Sequence, residues 1–216
     1  MATRAKARQG DSEVLGAPTD GAAPDIELEV PYVVEFEIEG VCPILFHAWN
    51  NEAVAEKGAA KKGSAAKKSD NVESYIYRTD KGEIALPGTY VYGSICDKKN
   101  GAAKFRQDPR STRASAVKLF QAGIAPLTEL ASLGTAKWDY LDERRAVVNQ
   151  SGITRQRPAF NAGWRAQMQF MVNLPEYISP AFLYDVLSLA GRVVGVGDFR
   201  PTYGRFQIVR FEVLEL

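Results

Sequence analysis

Few side chains in this sequence can do catalytic chemistry, and most of the reactive ones are cationic. There is one histidine, His47, so a histidine cluster for a metal is excluded. His47 ends an apolar run, next to Ala48 and Trp49. It reads as a capping or surface-pocket histidine, with a general base or a nucleic-acid contact as its functional alternatives. The sequence holds neither a G-x-S-x-G nucleophile turn nor a G-x-x-x-x-G-K-[ST] phosphate loop. A Ser–His–Asp or Cys–His set needs no adjacency in sequence, and nothing marks one. Asp139, Asp142 and Glu143 are hard oxygen ligands close together. Beside Arg144 and Arg145 they read as a solvated turn rather than a Mg²⁺ site. No cofactor and no metal are expected.

The basic residues say more. Lys98, Lys99, Lys104, Arg106, Arg110, Arg113 and Lys118 are opposed within their span only by Asp108. Arg144, Arg145, Arg155, Arg157 and Arg165 span 22 residues without an acid. Arg192, Arg200, Arg205 and Arg210 form a later group. Lys57, Lys61, Lys62, Lys67 and Lys68 sit among Ala, Gly and Ser. The guanidinium is a planar fork that grips phosphate and stacks on bases, which an ammonium is not. Phe105, Trp138, Tyr140, Phe160, Trp164, Phe199 and Tyr203 lie close by in sequence. Cations interleaved with aromatics are what single-strand binding uses, charge for the backbone and rings for the bases. The competing reading is a set of solvated faces with ordinary ion pairs. Residues 195–206 read GVGDFRPTYGRF, with three glycines in ten residues. Such a segment is either a stiff turn or a loop that lets backbone amides and arginines meet phosphate. Asp198 is expected to pair with Arg200 or Arg205.

These residues must be held by something, and 216 residues suffice for one domain with a substantial core. Hydrophobic and charged contents of 45% and 25% are ordinary for a globular chain. The net charge of +1 hides a split. Residues 1–29 carry three Lys/Arg and six Asp/Glu, which leaves 24 against 20 in the remainder, a net of +4. Cys42 and Cys96 are too few for a disulfide framework, and both are expected as buried free thiols. No signal peptide or run of about 18 apolar residues is readable, so a cytoplasmic protein without membrane contact is expected.

Residues 1–28 lack periodicity and are expected to be a disordered acidic tail ahead of a single domain at 29–216. Residues 32–39 alternate apolar with acidic as a half-buried strand should. A lysine-rich mobile insertion occupies about 50–70. Residues 74–78 and 83–86 flank an Asp80–Lys81–Gly82 turn as a hairpin. Helices are expected at about 90–98 and 114–120, and strands at 124–129, 144–149, 153–157 and 164–172. Ser179 and Pro180 open a helix that Gly191 closes, with Leu183, Val186, Leu187 and Ala190 on one face. A last strand covers 206–214. The class is therefore α+β, an antiparallel sheet with helices on one face and insertions, which a ferredoxin-like βαββαβ core accommodates.

Residues 195–206, followed by a closing strand, resemble the glycine-rich C-terminal signature of the RAMP superfamily of CRISPR effector proteins, which includes the Cas7-like members. Pro87, Gly88, Thr89 and Gly93 match that family's Pro-Gly-Ser…Gly element, while Asp97 and Lys98 stand where an arginine is usual. The chain also resembles proteins of tailed phages and prophages. The resemblance implies an RRM-like core and self-assembly into homo-oligomers along single-stranded RNA or DNA. The lysine insertion (Lys61, Lys62, Lys67, Lys68) would act as a thumb on the bound strand. Arg106, Arg144, Arg155, Arg157, Arg200 and Arg205 are the candidate phosphate contacts, and Tyr92, Trp164 and Tyr203 the candidate stacking rings. Two alternatives remain: a Cas6-like metal-independent endoribonuclease using His47, and an assembly protein with no nucleic-acid ligand.

Overall fold

The computed structural model describes residues 30–48, 59, 71–148 and 151–214. The tail and the lysine-rich insertion, Lys61, Lys62, Lys67 and Lys68 included, lie outside the described residues.

Alternation in two strands sets the main sheet. β1 (Tyr32–Gly40) buries Val34, Phe36 and Ile38 and leaves Glu35, Glu37 and Glu39 partly exposed. β9 (Arg165–Val172) buries Ala166, Met168, Phe170 and Val172. The two pair antiparallel with Phe36 opposite Met168, so one face is apolar throughout. β10 (Phe206–Leu214) adds on the far side of β1, and β5 (Ile124–Pro126) on the far side of β9. The order β10-β1-β9-β5 is antiparallel at every step.

The apolar face is covered by helices. α1 (Gly88–Cys96) and α2 (Val117–Gly123) come between β1 and β5, and α3 (Pro180–Val193) between β9 and β10. First and third core strands in the middle, flanked by the fourth and second, make the ferredoxin-like arrangement. One apolar cluster joins Phe36, Phe170 and Met168 to Val91, Leu119 and Leu187 from the three helices. The Ser179 hydroxyl accepts the Phe182 amide at 3.2 Å, the N-cap expected from sequence.

Two smaller sheets are inserted. β3 (Tyr77–Arg78) and β4 (Ile84–Pro87) form the expected hairpin, joined by β6 (Leu130–Ser132). β2 (Ile44–Leu45) pairs with β8 (Ser151–Phe160), which pairs in turn with β7 (Tyr140–Val148).

Several expectations need correction. The single strand at 124–129 is two, because the chain leaves the main sheet after Pro126, where the amides of Leu127 and Thr128 both donate to Gln169. The second helix starts three residues late, at Val117. Gly191 lies inside α3 rather than after it. A Cβ there would come within 2.2 Å of the Phe206 carbonyl, so this glycine admits β10 against the helix. Asp142 is not in a solvated turn: it is buried on β7 and paired with Arg144. Cys96 is buried, but Cys42 is half-exposed.

Candidate nucleic-acid interface

The glycine-rich segment is a closed loop with a hydrogen-bonded neck. The Val196 amide donates to the Gly204 carbonyl at 2.9 Å. Gly204 has φ +72°, and a Cβ there would lie 1.7 Å from the Val196 carbonyl oxygen. A side chain cannot fit at that position. The loop is also sewn to the segment around β2. Asp198 N–H donates to Leu45 at 2.9 Å, and Gly204 N–H to Pro43 at 2.8 Å. Gly197 permits the first contact, since its Cβ would meet the Leu45 carbonyl at 2.7 Å.

So anchored, the loop presents Asp198, Phe199 and Tyr203 to the β7–β8 hairpin. Asp198 pairs with Arg157 at 2.5 Å, not with Arg200 or Arg205 as expected. Arg157 is only 5% exposed, and its Nη1 has no hydrogen-bond partner among the described residues. Its guanidinium stacks 4.5 Å from the Phe199 ring centroid. Arg144 lies 4.5 Å over the Tyr203 ring and 5.9 Å from that of Phe199. It also donates to Asp142 at 2.7 Å and to the Tyr203 hydroxyl. Two arginines and two rings thus interleave, a desolvated cation–π set. Phe199 holds φ +55°, a left-handed backbone that an aromatic residue rarely adopts.

On the loop's other flank is a groove of about 560 Å³. One wall is Lys99, Asn100 and Phe105 from the turn after α1, and the other is Phe199, Arg200 and Pro201. Phe105 is 61% and Phe199 38% exposed. Arg200 makes no salt bridge with a described residue, and neither does Lys99. A second recess of about 290 Å³ shares Gly197 and Arg200 and is closed by Thr89, Tyr90 and Gly93 of α1. The two glycine-containing motifs of the sequence therefore meet around Arg200. Burial and the neighbouring Tyr77 push the Tyr90 hydroxyl well above the usual tyrosine range.

The remaining candidates are placed as follows. Arg106 is committed to Asp185 of α3 by a two-point contact at 2.5 and 2.8 Å. Arg205 donates through Nε to Pro201 at 2.8 Å and is exposed. Arg155 donates to the Tyr75 hydroxyl at 3.3 Å, and His47 sits half-buried 4.3 Å from the Tyr75 ring. Tyr92 is wedged between α1 and α2, its hydroxyl donating to Gln121 at 3.2 Å. Trp164 is a core residue, 5% exposed, with Nε1 donating to Cys42 at 3.0 Å, so it offers no face to a base. Lys99, Phe105 and Phe199 are the groove residues that sequence spacing did not single out. Their signal was present only as one lysine among many and two of seven nearby aromatics.

The open face of the main sheet is a poor alternative. Glu35, Glu37, Glu39 and Glu212 occupy it, and its arginines are already matched, Arg165 to Glu39 at 2.9 Å and Arg210 to Glu212 at 2.6 Å. An RRM binds RNA by stacking bases on aromatics of this face. Here carboxylates stand in their place and repel phosphate. Among the described residues no three His, Cys, Asp or Glu side chains gather as a metal site, and no helix is long and apolar enough to cross a membrane.

No protein-family model matches the chain, and no curated protein matches it. Among solved structures it is similar to a chain in the cryo-EM structure of the type III-B Cmr-beta bound to cognate target RNA, at 12% identity and a TM-score of 0.45. The match covers 86% of this chain, which spans 61% of the length of that one.

Proposed function

We propose that this protein is a non-enzymatic binder of single-stranded nucleic acid, and that copies of it line up along one strand. The observation that carries the reading is the groove. Two exposed rings, Phe105 and Phe199, share it with two cations, Lys99 and Arg200, that no acid neutralises. Rings give sequence-tolerant stacking and cations hold the backbone. Buried Arg157 behind Phe199, with a donor to spare, adds positive potential on the same side.

Fluorescence anisotropy with labelled oligo-dT and oligo-U tests this. Lys98, Lys99, Lys104 and Arg200 lie in or beside the groove. Four neutralised phosphates give a log K against log salt slope of roughly −3 for a single strand. No anisotropy change at about 10 µM protein and about 100 mM salt would sink the reading. A salt-insensitive oligomer that purifies without nucleic acid would instead favour an assembly protein.

A second reading, a metal-independent endoribonuclease, is supported by His47, Tyr75 and Arg155 lying side by side. It is eliminated by a His47→Ala protein that cleaves RNA like the wild type.

A further inference from the structure

β10 ends the main sheet, and among the described residues its outer edge has no partner strand. Nine residues of unpaired N–H and C=O form a template that natural proteins usually blunt with charge or cover. This edge is instead apolar on its helix side. Val209 and Val213 of β10 are more than 40% exposed, as is Tyr184 of α3, whose ring meets Phe211 edge-on at 5.3 Å. A groove of about 540 Å³ runs between α3 and β10, with Tyr184, Leu189 and Ile208 in its lining. Arg192 and Arg205 line it too, and neither makes a salt bridge with a described residue.

The sequence contains a segment with the complementary pattern. Residues 25–30 read DIELEV: Asp25, Glu27 and Glu29 alternate with Ile26, Leu28 and Val30. Laid along β10, such a segment turns three apolar side chains toward Tyr184, Ile208 and Val213. Its three carboxylates then fall beside Arg205 and Arg210 on the other face, as cross-strand neighbours. We infer that residues 25–30 of one copy add as a strand to the β10 edge of the next, the β-augmentation mode of recognition.

The chain's own edge is out of reach for the whole segment. Only Pro31 separates Val30 from β1, and two residue steps span at most about 7 Å. The outer side of β10 is two strand spacings from β1, about 9.6 Å. Pairing between copies is heterologous, tail to edge, so it repeats from copy to copy instead of closing as a two-fold dimer. The inference deepens the self-assembly part of the proposed function and rests on that part alone. It requires no nucleic acid.

Size-exclusion chromatography with light scattering on the nuclease-treated full chain, at about 100 µM, provides the test. The wild type is expected to form concentration-dependent oligomers larger than dimers. A tail variant (Ile26→Asp with Leu28→Asp) and an edge variant (Val209→Lys with Val213→Lys) should each be monomeric. Their equimolar mixture should give a dimer and nothing larger, since one keeps an intact edge and the other an intact tail. A monomeric wild type, variants that assemble like it, or a mixture that stays monomeric would each overturn the inference. Because β10 positions 209 and 213 are exposed, melting curves of the edge variant should match the wild type. Binding of an oligonucleotide of about 8 nucleotides reads the groove separately, and its failure would leave the assembly result standing.

Discussion

Replacing Asp198 by Ala isolates the contact on which the glycine-rich loop depends. Arg157 is buried, and the Asp198 carboxylate at 2.5 Å is the acid it pairs with. Breaking a buried pair by deleting one member costs about 3–5 kcal/mol, because the survivor is left charged and dry. The Asp198 side chain is 34% exposed, so water reaches part of the site. The expected loss is therefore nearer 2–3 kcal/mol, a fall in Tm of about 5–10 °C for a chain of this size. Urea unfolding followed by tryptophan fluorescence reads it, with an unchanged m-value. Arg157→Met is the control. It removes the buried charge and leaves a carboxylate that water can solvate, so it should cost only about 1 kcal/mol. The double variant should then cost little more than Arg157→Met alone, a coupling of at least about 1.5 kcal/mol. An Asp198→Ala protein within about 0.5 kcal/mol of wild type, or additive single effects, would refute the reasoning.

Gly204→Ala meets the Val196 carbonyl at 1.7 Å from a φ of +72°, so a loss of about 3 kcal/mol or more is expected in the same unfolding assay. Phe105→Ala and Phe199→Ala should each weaken oligonucleotide binding by about 1–3 kcal/mol, and Phe105→Ala should leave Tm unchanged because that ring is exposed. Burial pushes the Cys96 thiol up to about 12, so at pH 8 a thiol reagent should modify Cys42 quickly and Cys96 only after unfolding. Arg110 and Arg106 hold the Asp108 and Asp185 carboxyls below the usual range. The stability they lend is then complete above about pH 4 and lost as pH falls below it, and Arg110→Ala should move acid unfolding to higher pH.

Where a strand or helix has one apolar face, the sequence announced it. β1, β9 and α3 were legible because period-2 and period-3.6 patterns coincide with burial there, and Ser179–Pro180 marked the helix start. The β7–β8 hairpin was underestimated at both ends. Its buried positions include Asp142 and Arg157, and polar residues in the interior defeat a hydrophobic pattern. The same reason explains the misplaced partner of Asp198. Proximity in sequence favoured Arg200 and Arg205, whereas Arg157 comes from 41 residues away through strand pairing. Gly191 was misread because a glycine that admits a neighbouring strand and a glycine that ends a helix look alike in one dimension.

The neck between Val196 and Gly204 has an entropic consequence. A loop whose ends are already hydrogen-bonded, and whose body is pinned to Leu45 and Pro43, has surrendered its conformational freedom during folding. A ligand arriving at Phe199 and Arg200 would meet a rigid wall, and no ordering penalty would be subtracted from its affinity there. That side of the groove should contribute to a fast, lock-and-key association. Any slow, induced component would have to originate elsewhere in the chain.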